Sequence, residues 1–392
     1  MPKNIVVLCD GTSNEISSNR TNVLRLYGCL QKDESQIVFY DPGVGTFGAD
    51  NAWSQTYRKF TELWGQATGW GLDRNVKESY RFIVENYEKG PKIDGRHPHR
   101  DQIYIFGFSR GAYTARVLAG FIHCVGLMNK ENLNLLDYAY RAYKSIGKNE
   151  GKGHDSDVFA EVRLYERILQ TDRPTIRCLG LFDTVASVIE PGRLLPRLSS
   201  NAFTSTNSSV QTVRHAVAIN EERTMFQPTL WPEGGEYRPN LFDKDSAVPQ
   251  DSKEVWFTGV HGDIGGGYPE DQGALAKLPL AWMLDEIKST GLKLKPRTIN
   301  RIVLGQGDDN KYSKPDPKGR LHNSMTTAWS ILEFIPRRLP RGGIANRSGF
   351  LGVYLPLFSP RPIPDGAKLH KSVEERGTPY PKNLPGHFEF VE

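Results

Sequence analysis

Scarcity sets the first limits. The chain of 392 residues holds four cysteines, Cys9, Cys29, Cys124 and Cys178, in apolar surroundings and without CxxC spacing. That excludes a disulfide framework and a cysteine-rich zinc site, and it predicts buried free thiols in a reducing compartment. No apolar run reaches the roughly 18 residues a membrane-spanning helix needs. The run Ile5–Cys9 stops at Asp10, too short for the core of a signal peptide, so the expected location is cytoplasmic. There is no block of five Lys/Arg, and 50 basic residues against 45 acidic ones leave a net charge of +5. A nucleic-acid partner is therefore not expected, whereas peripheral contact with an anionic membrane surface stays open. Internal repeats and low-complexity tracts are absent too.

What is present suits a large folded domain. Hydrophobic residues make up 38% of the chain, enough for a sizeable core, and 38 glycines with 25 prolines imply many turns and shaped loops. Strand-like runs at Ile5–Cys9, Gln36–Tyr40, Gln102–Phe108, Thr175–Phe182, Val210–Ile219 and Glu254–Val260 alternate with helical patterns. The helices are expected at Asn22–Leu30 (capped by Thr21), Arg74–Tyr87, Arg110–Ile122 and Leu275–Lys288. Such alternation predicts the α/β class: a mostly parallel central sheet flanked by helices, with ligands at the carboxyl ends of its strands. Segments 126–172, 187–209 and 222–252 are too long for plain connections and are expected to form a cap. One domain over residues 1–335 is predicted. A Pro-rich extension, 336–392, is expected to pack on it or flank it.

The sharpest motif is Gly107-Phe108-Ser109-Arg110-Gly111. It follows a strand directly and opens a helix, the setting in which G-x-S-x-G holds a nucleophilic serine on a strained turn. Residues two positions either side must lack bulk, and Gly107 and Gly111 meet that demand. The turn aims the helix N-terminus at the hydroxyl, so the Arg110 N–H becomes an oxyanion donor. A second donor is expected from Gly11 or Thr12, after the first strand. The Arg110 side chain itself has two readings, a structural ion pair or a contact to a lipid phosphate.

A serine needs a base, and the base an orienting acid, in the chain order Ser, Asp/Glu, His. His261 opens the Gly-rich run to Tyr268 after one late strand, on what is expected to be a loop bending over the cleft. His215, in mid-strand, is the alternate base. Asp183 ends an earlier strand and is the first candidate acid, with Glu221 and Asp263 as alternates. Either of those two could instead be a structural partner of Arg223. His123 is expected in the core. His97, His99, His154, His322, His370 and His387 are expected at the surface. No metal or organic cofactor is called for.

Two other patterns carry less. Leu8-Cys9-Asp10-Gly11-Thr12 has the form of an aspartyl-phosphate site, but the nucleophile's position holds Leu8. Gly43-Val44-Gly45-Thr46-Phe47-Gly48 matches G-x-G-x-x-G, but no helix opens on it.

The ordered set of these pieces resembles a family of α/β-hydrolase domains that includes the phospholipase effectors of bacterial type VI secretion. The matching residues are Asp10-Gly11-Thr12 with Asn14, Tyr40–Thr46, Gly107–Ala112, Phe182–Val185, His215-Ala216-Val217 with Glu221 and Arg223, and Trp256–His261 with Asp263 and Gly265–Tyr268. The resemblance implies an α/β-hydrolase fold and an esterase or phospholipase with Ser109 as nucleophile, His261 as base and Asp183 as acid. It also implies a lipid or acyl-ester substrate, a secretion-apparatus or immunity protein as partner, and export that needs no signal peptide. Two other readings compete: an esterase or thioesterase acting on a small soluble acyl compound, and a non-catalytic binding module on a hydrolase fold.

Overall fold

A computed structural model describes residues 2–11, 19–43, 71–94, 97–149, 164–165, 167–185, 189–190, 197–198, 202–240, 243–307, 311–334, 336–338 and 353–392. Its centre is a sheet of eight strands: β1 (Asn4–Cys9), β2 (Gln36–Asp41), β3 (Gln102–Phe108), β4 (Ile176–Phe182), β5 (Val210–Ala218), β6 (Asp251–Phe257), β7 (Ala367–His370) and β8 (Phe388–Val391). Their spatial order is β8-β7-β6-β5-β4-β3-β1-β2, and every pairing is parallel. A parallel sheet must be covered on both faces, and the inner strands β1, β3 and β4 are mostly apolar and buried for that reason. In β1 the side chains alternate: Ile5, Val7 and Cys9 enter one core, while Val6 and Leu8 enter the other.

Each face of the sheet has its own set of helices. One face carries α2 (Leu72–Asn86), α3 (Arg110–Val125) and α4 (Leu136–Asn149). The other carries α1 (Asn22–Cys29), α5 (His261–Gly265) and α6 (Lys277–Glu286). Thr21 caps α1 as expected, its side chain accepting from the Leu24 N–H. The four cysteines are free and buried. Among the described residues, no helix is long and apolar enough to cross a membrane.

Two expectations are revised. The segment set apart as a Pro-rich extension supplies β7 and β8 to the central sheet. Ile363, Ala367, Leu369 and Val373 bury themselves against Val217, Ile219 and Trp256. Four-residue strands carry too little periodicity to show in sequence. The first insertion also does something other than cap the cleft over its described part. Helix α4 lays Ala139, Tyr140, Tyr143 and Ile146 into the core beside α2 and α3, and Tyr143 donates to the Ala202 carbonyl. All of 150–163, and most of 186–201, lies outside the described residues.

Candidate active site

Strand ends build the site. Ser109 follows β3, Asp183 follows β4, Glu221 lies after β5, and His261 lies after β6. All four therefore meet at the carboxyl edge of one parallel sheet.

Ser109 has φ 59° and ψ −124° and is the residue before the first turn of α3. A non-glycine residue there carries backbone strain, and the surroundings hold it in place. Its N–H donates to the Phe182 carbonyl at 3.0 Å, and its own carbonyl accepts from Tyr113. The flanking glycines are sterically required. A Cβ on Gly107 would lie 2.4 Å from the Gly111 carbonyl oxygen, and one on Gly111 would lie 2.2 Å from that of Cys9.

The hydroxyl of Ser109 lies 2.7 Å from His261 Nε2, and His261 Nδ1 lies 2.5 Å from Asp183 Oδ2. An ionised carboxylate only accepts, so Nδ1 carries the proton and Nε2 is bare toward the serine. Asp183 is wholly buried, while Ser109 and His261 keep 8% and 7% of their surface. The imidazole is packed between two phenylalanines. The Phe108 ring is 4.7 Å away and the Phe226 ring 4.9 Å away, edge-on. Gly265 makes room for Phe108, whose ring would overlap any Cβ there.

His261 sits at the start of the short helix α5 rather than on a loop. Asp263 explains this: its Oδ2 accepts from the Val260 N–H, which caps the turn. Asn22 then ties the helix down, its amide donating to the carbonyls of Ile264 and Ala276, both at 2.7 Å.

The alternates have other partners. Glu221 accepts from the Arg223 side chain at 2.8 and 2.9 Å and from the His261 N–H at 3.1 Å. It thus positions the histidine's backbone. Burial opposes its charge, but Arg223 outweighs this and brings its pKa to about 2. Asp263 binds His322 Nδ1 at 2.6 Å. His322 is therefore not a solvated surface residue; it is mostly buried and stacks on Tyr268. His370 is buried as well, stacked on Phe257. His154 lies outside the described residues.

His215 is part of a separate network. Its Nε2 accepts from the Thr184 N–H at 3.2 Å, and Nδ1 meets Glu254 at 2.8 Å. Burial pushes its pKa down. Both nitrogens are thus occupied away from the serine. His215→Ala should cost about 2–4 kcal/mol of stability, through a cavity and an unpaired buried N–H. It should leave Ser109 reactive toward a fluorophosphonate, whereas His261→Ala should abolish that labelling. Urea unfolding and probe incorporation on both variants check this, and the reverse pattern would make His215 the base.

The oxyanion candidates divide. Arg110 begins α3, so its N–H lies at the positive N-terminal end of that helix, beside Ser109. Burial lowers the pKa of its guanidinium to about 10. The Gly11 N–H donates to the Asp10 carboxylate at 2.7 Å, so it is engaged with that side chain. Asp10 also accepts from Thr21 at 2.5 Å and Tyr40 at 2.7 Å, and this pins the loop after β1. Thr12, Asn14 and the glycines after Gly43 in the G-x-G-x-x-G run lie outside the described residues. Among the described residues, no group of three or more His, Cys, Asp or Glu is placed to hold a metal ion.

One residue escaped the sequence reading. Arg361, from the C-terminal segment, is fully buried and donates to both oxygens of Asp183, at 2.5 Å to Oδ1 and 2.9 Å to Oδ2. The Ala218 N–H adds a second donor to Oδ1. Burial alone would raise the acid's pKa. Arg361 and His261 more than offset it and hold the carboxyl well below the usual carboxylate range.

The large parallel sheet with helices on both faces defines an α/β-hydrolase-like fold. The chain belongs to the family described as type VI secretion phospholipase effector Tle1-like, catalytic domain, whose model matches residues 3–286. It is 33% identical over 250 residues to an uncharacterized protein of Saccharomyces cerevisiae, covering 61% of this chain and 34% of that protein. A crystal structure of an uncharacterized protein from Pseudomonas aeruginosa is similar at 19% identity, covering 76% of this chain and 47% of that one with a TM-score of 0.40. The Tle1 effector bound to the VgrG spike of the type VI secretion system is similar at 19% identity, over 70% of this chain and 52% of the other, with a TM-score of 0.35. The chain thus spans about a third of the length of the yeast relative, and about half of each of these two structures.

Proposed function

We propose that the protein is a serine hydrolase that cleaves carboxylic esters of phospholipids. The observation that carries this reading is the hydrogen-bonded line from Ser109 through His261 to Asp183. Membership in a phospholipase effector family supports the lipid class of substrate.

In this reading His261 Nε2 takes the Ser109 proton as the oxygen attacks the ester carbonyl. Asp183 stabilises the imidazolium that forms. The oxyanion develops against the Arg110 N–H at the positive end of α3. The imidazolium gives its proton to the leaving alcohol, and the acyl group remains on Ser109. Water, activated by the same nitrogen, releases the fatty acid. His261 must be neutral to start. Burial lowers its pKa, and the Asp183 hydrogen bond and charge only partly restore it. The base is therefore ready at neutral pH. By the family's description, a component of a type VI secretion apparatus is a candidate partner.

The test compares fatty-acid release from phosphatidylglycerol and phosphatidylethanolamine vesicles with hydrolysis of a short-chain soluble ester. Faster turnover of the vesicles is expected, together with stoichiometric fluorophosphonate labelling at Ser109. Labelling with turnover of the soluble ester alone would replace the lipid reading with a small-ester one. Failure to label would remove the serine mechanism.

A further inference from the structure

We infer that Arg361 is a positioning residue of the active site, through which the C-terminal segment sets both the orientation of Asp183 and the charge that His261 experiences. This rests on the serine-hydrolase reading and extends it. Arg361 lies beyond residues 3–286, where the family model matches.

The geometry carries the argument. A guanidinium presents a planar fork that fits a carboxylate in one orientation. Here both branches are used, and each also reaches the backbone: Nη1 donates to the Ala218 carbonyl at 3.1 Å and Nη2 to that of Phe226 at 2.5 Å. Arg361 therefore links the acid to the end of β5 and to the loop whose Phe226 ring packs on His261. Its own backbone is fastened by Asn383, whose amide donates to the carbonyls of Arg361 and Ile219, each at 3.1 Å. Neither partner of the ion pair is exposed to water, so the fork cannot turn without leaving buried charges unpaired.

The charges around the imidazole are few. Asp183 and Glu221 favour its protonation, and Arg223 opposes it. Arg361 acts through Asp183, by taking up part of the negative charge that would otherwise stabilise an imidazolium. His215 is bonded to the Thr184 N–H, next to Asp183 in the chain, and is held by Glu254. Removing Arg361 should therefore make His261 easier to protonate. The acid limb of kcat/KM, where the base is lost as pH falls, should then move to higher pH.

The experiment measures pH profiles for the full chain and for Arg361→Met and Arg361→Lys. It also follows the His261 ring by NMR titration, which needs no turnover. Arg361→Met should shift both the limb and the ring titration upward by about one pH unit. Arg361→Lys keeps the charge but loses the fork, so it should hold the limb near its wild-type position while kcat falls several-fold. A folded Arg361→Met variant with an unmoved His261 titration would overturn the inference, as would Arg361→Lys with wild-type kcat. If Arg361→Met does not fold, the lysine variant decides alone by the same criterion. Absence of Ser109-dependent turnover in the wild type would sink the hydrolase reading instead, and the ring titration would still decide the role of Arg361.

Discussion

Ser109→Ala should lower kcat for fatty-acid release by about 10⁴–10⁶-fold while leaving the thermal midpoint within a few degrees of wild type. The two halves of this expectation have separate causes. The hydroxyl is the only atom removed, and its hydrogen bond to His261 is a single contact in a site held by backbone bonds on both sides. The strained backbone at position 109 is the same for alanine, so stability hardly changes. Chemistry changes completely, because water must then attack without a covalent intermediate. The residual rate comes from the oxyanion donor and from binding. Steady-state release from vesicles, with circular dichroism on the same preparation, checks both halves. A fall of less than tenfold would mean that another residue is the nucleophile.

Asp183→Asn should cost both activity and stability. Oδ1 receives donors from Arg361 and Ala218, and Oδ2 receives donors from His261 and Arg361. An asparagine NH2 group must face one of these pairs. At the Oδ1 position it meets two obligate donors. At the Oδ2 position one neighbour is an imidazole, which can change tautomer and accept. The NH2 group therefore goes toward His261, and the proton moves to Nε2, where it blocks transfer from Ser109. A fall in kcat of about 10⁴-fold follows. Arg361 also loses its buried counter-charge, which should destabilise the fold by about 3–5 kcal/mol. Urea denaturation and turnover of the same variant test this. Loss of activity without loss of stability would show that the ion pair contributes little to folding.

The local features of this fold were legible, and the distant ones were not. Gly107–Gly111 stands out because the strand, the tight turn and the helix all fall within a few adjacent positions. Asp183 and His261 could be found from chain order and from the ends of apolar runs. The alternates could not be dismissed from sequence. Glu221 and Asp263 differ from Asp183 only in their partners, Arg223 and His322, and pairing across folded space leaves no periodic mark. His322 and His370 were expected at the surface because they fall in the C-terminal third, where no long strand or helix pattern is visible around them. Their burial comes from Tyr268 and Phe257, brought over by other elements. Arg361 lies between two prolines in a segment without helical or strand-like spacing. Its only signal was indirect: a carboxylate buried among apolar strands needs a cation from somewhere.

The order of the chain gives that ion pair a further meaning. Arg361 follows the carboxylate it clamps by 178 residues. During synthesis Ser109 emerges first, then Asp183, then His261, and Arg361 last. A nascent chain that has not yet reached residue 361 holds the serine and the imidazole without the fork that steadies their acid. Contacts that close so long a loop also form late in folding. A cell making this protein would therefore carry the proposed active site in an unfinished state until the segment around Arg361 has left the ribosome and docked.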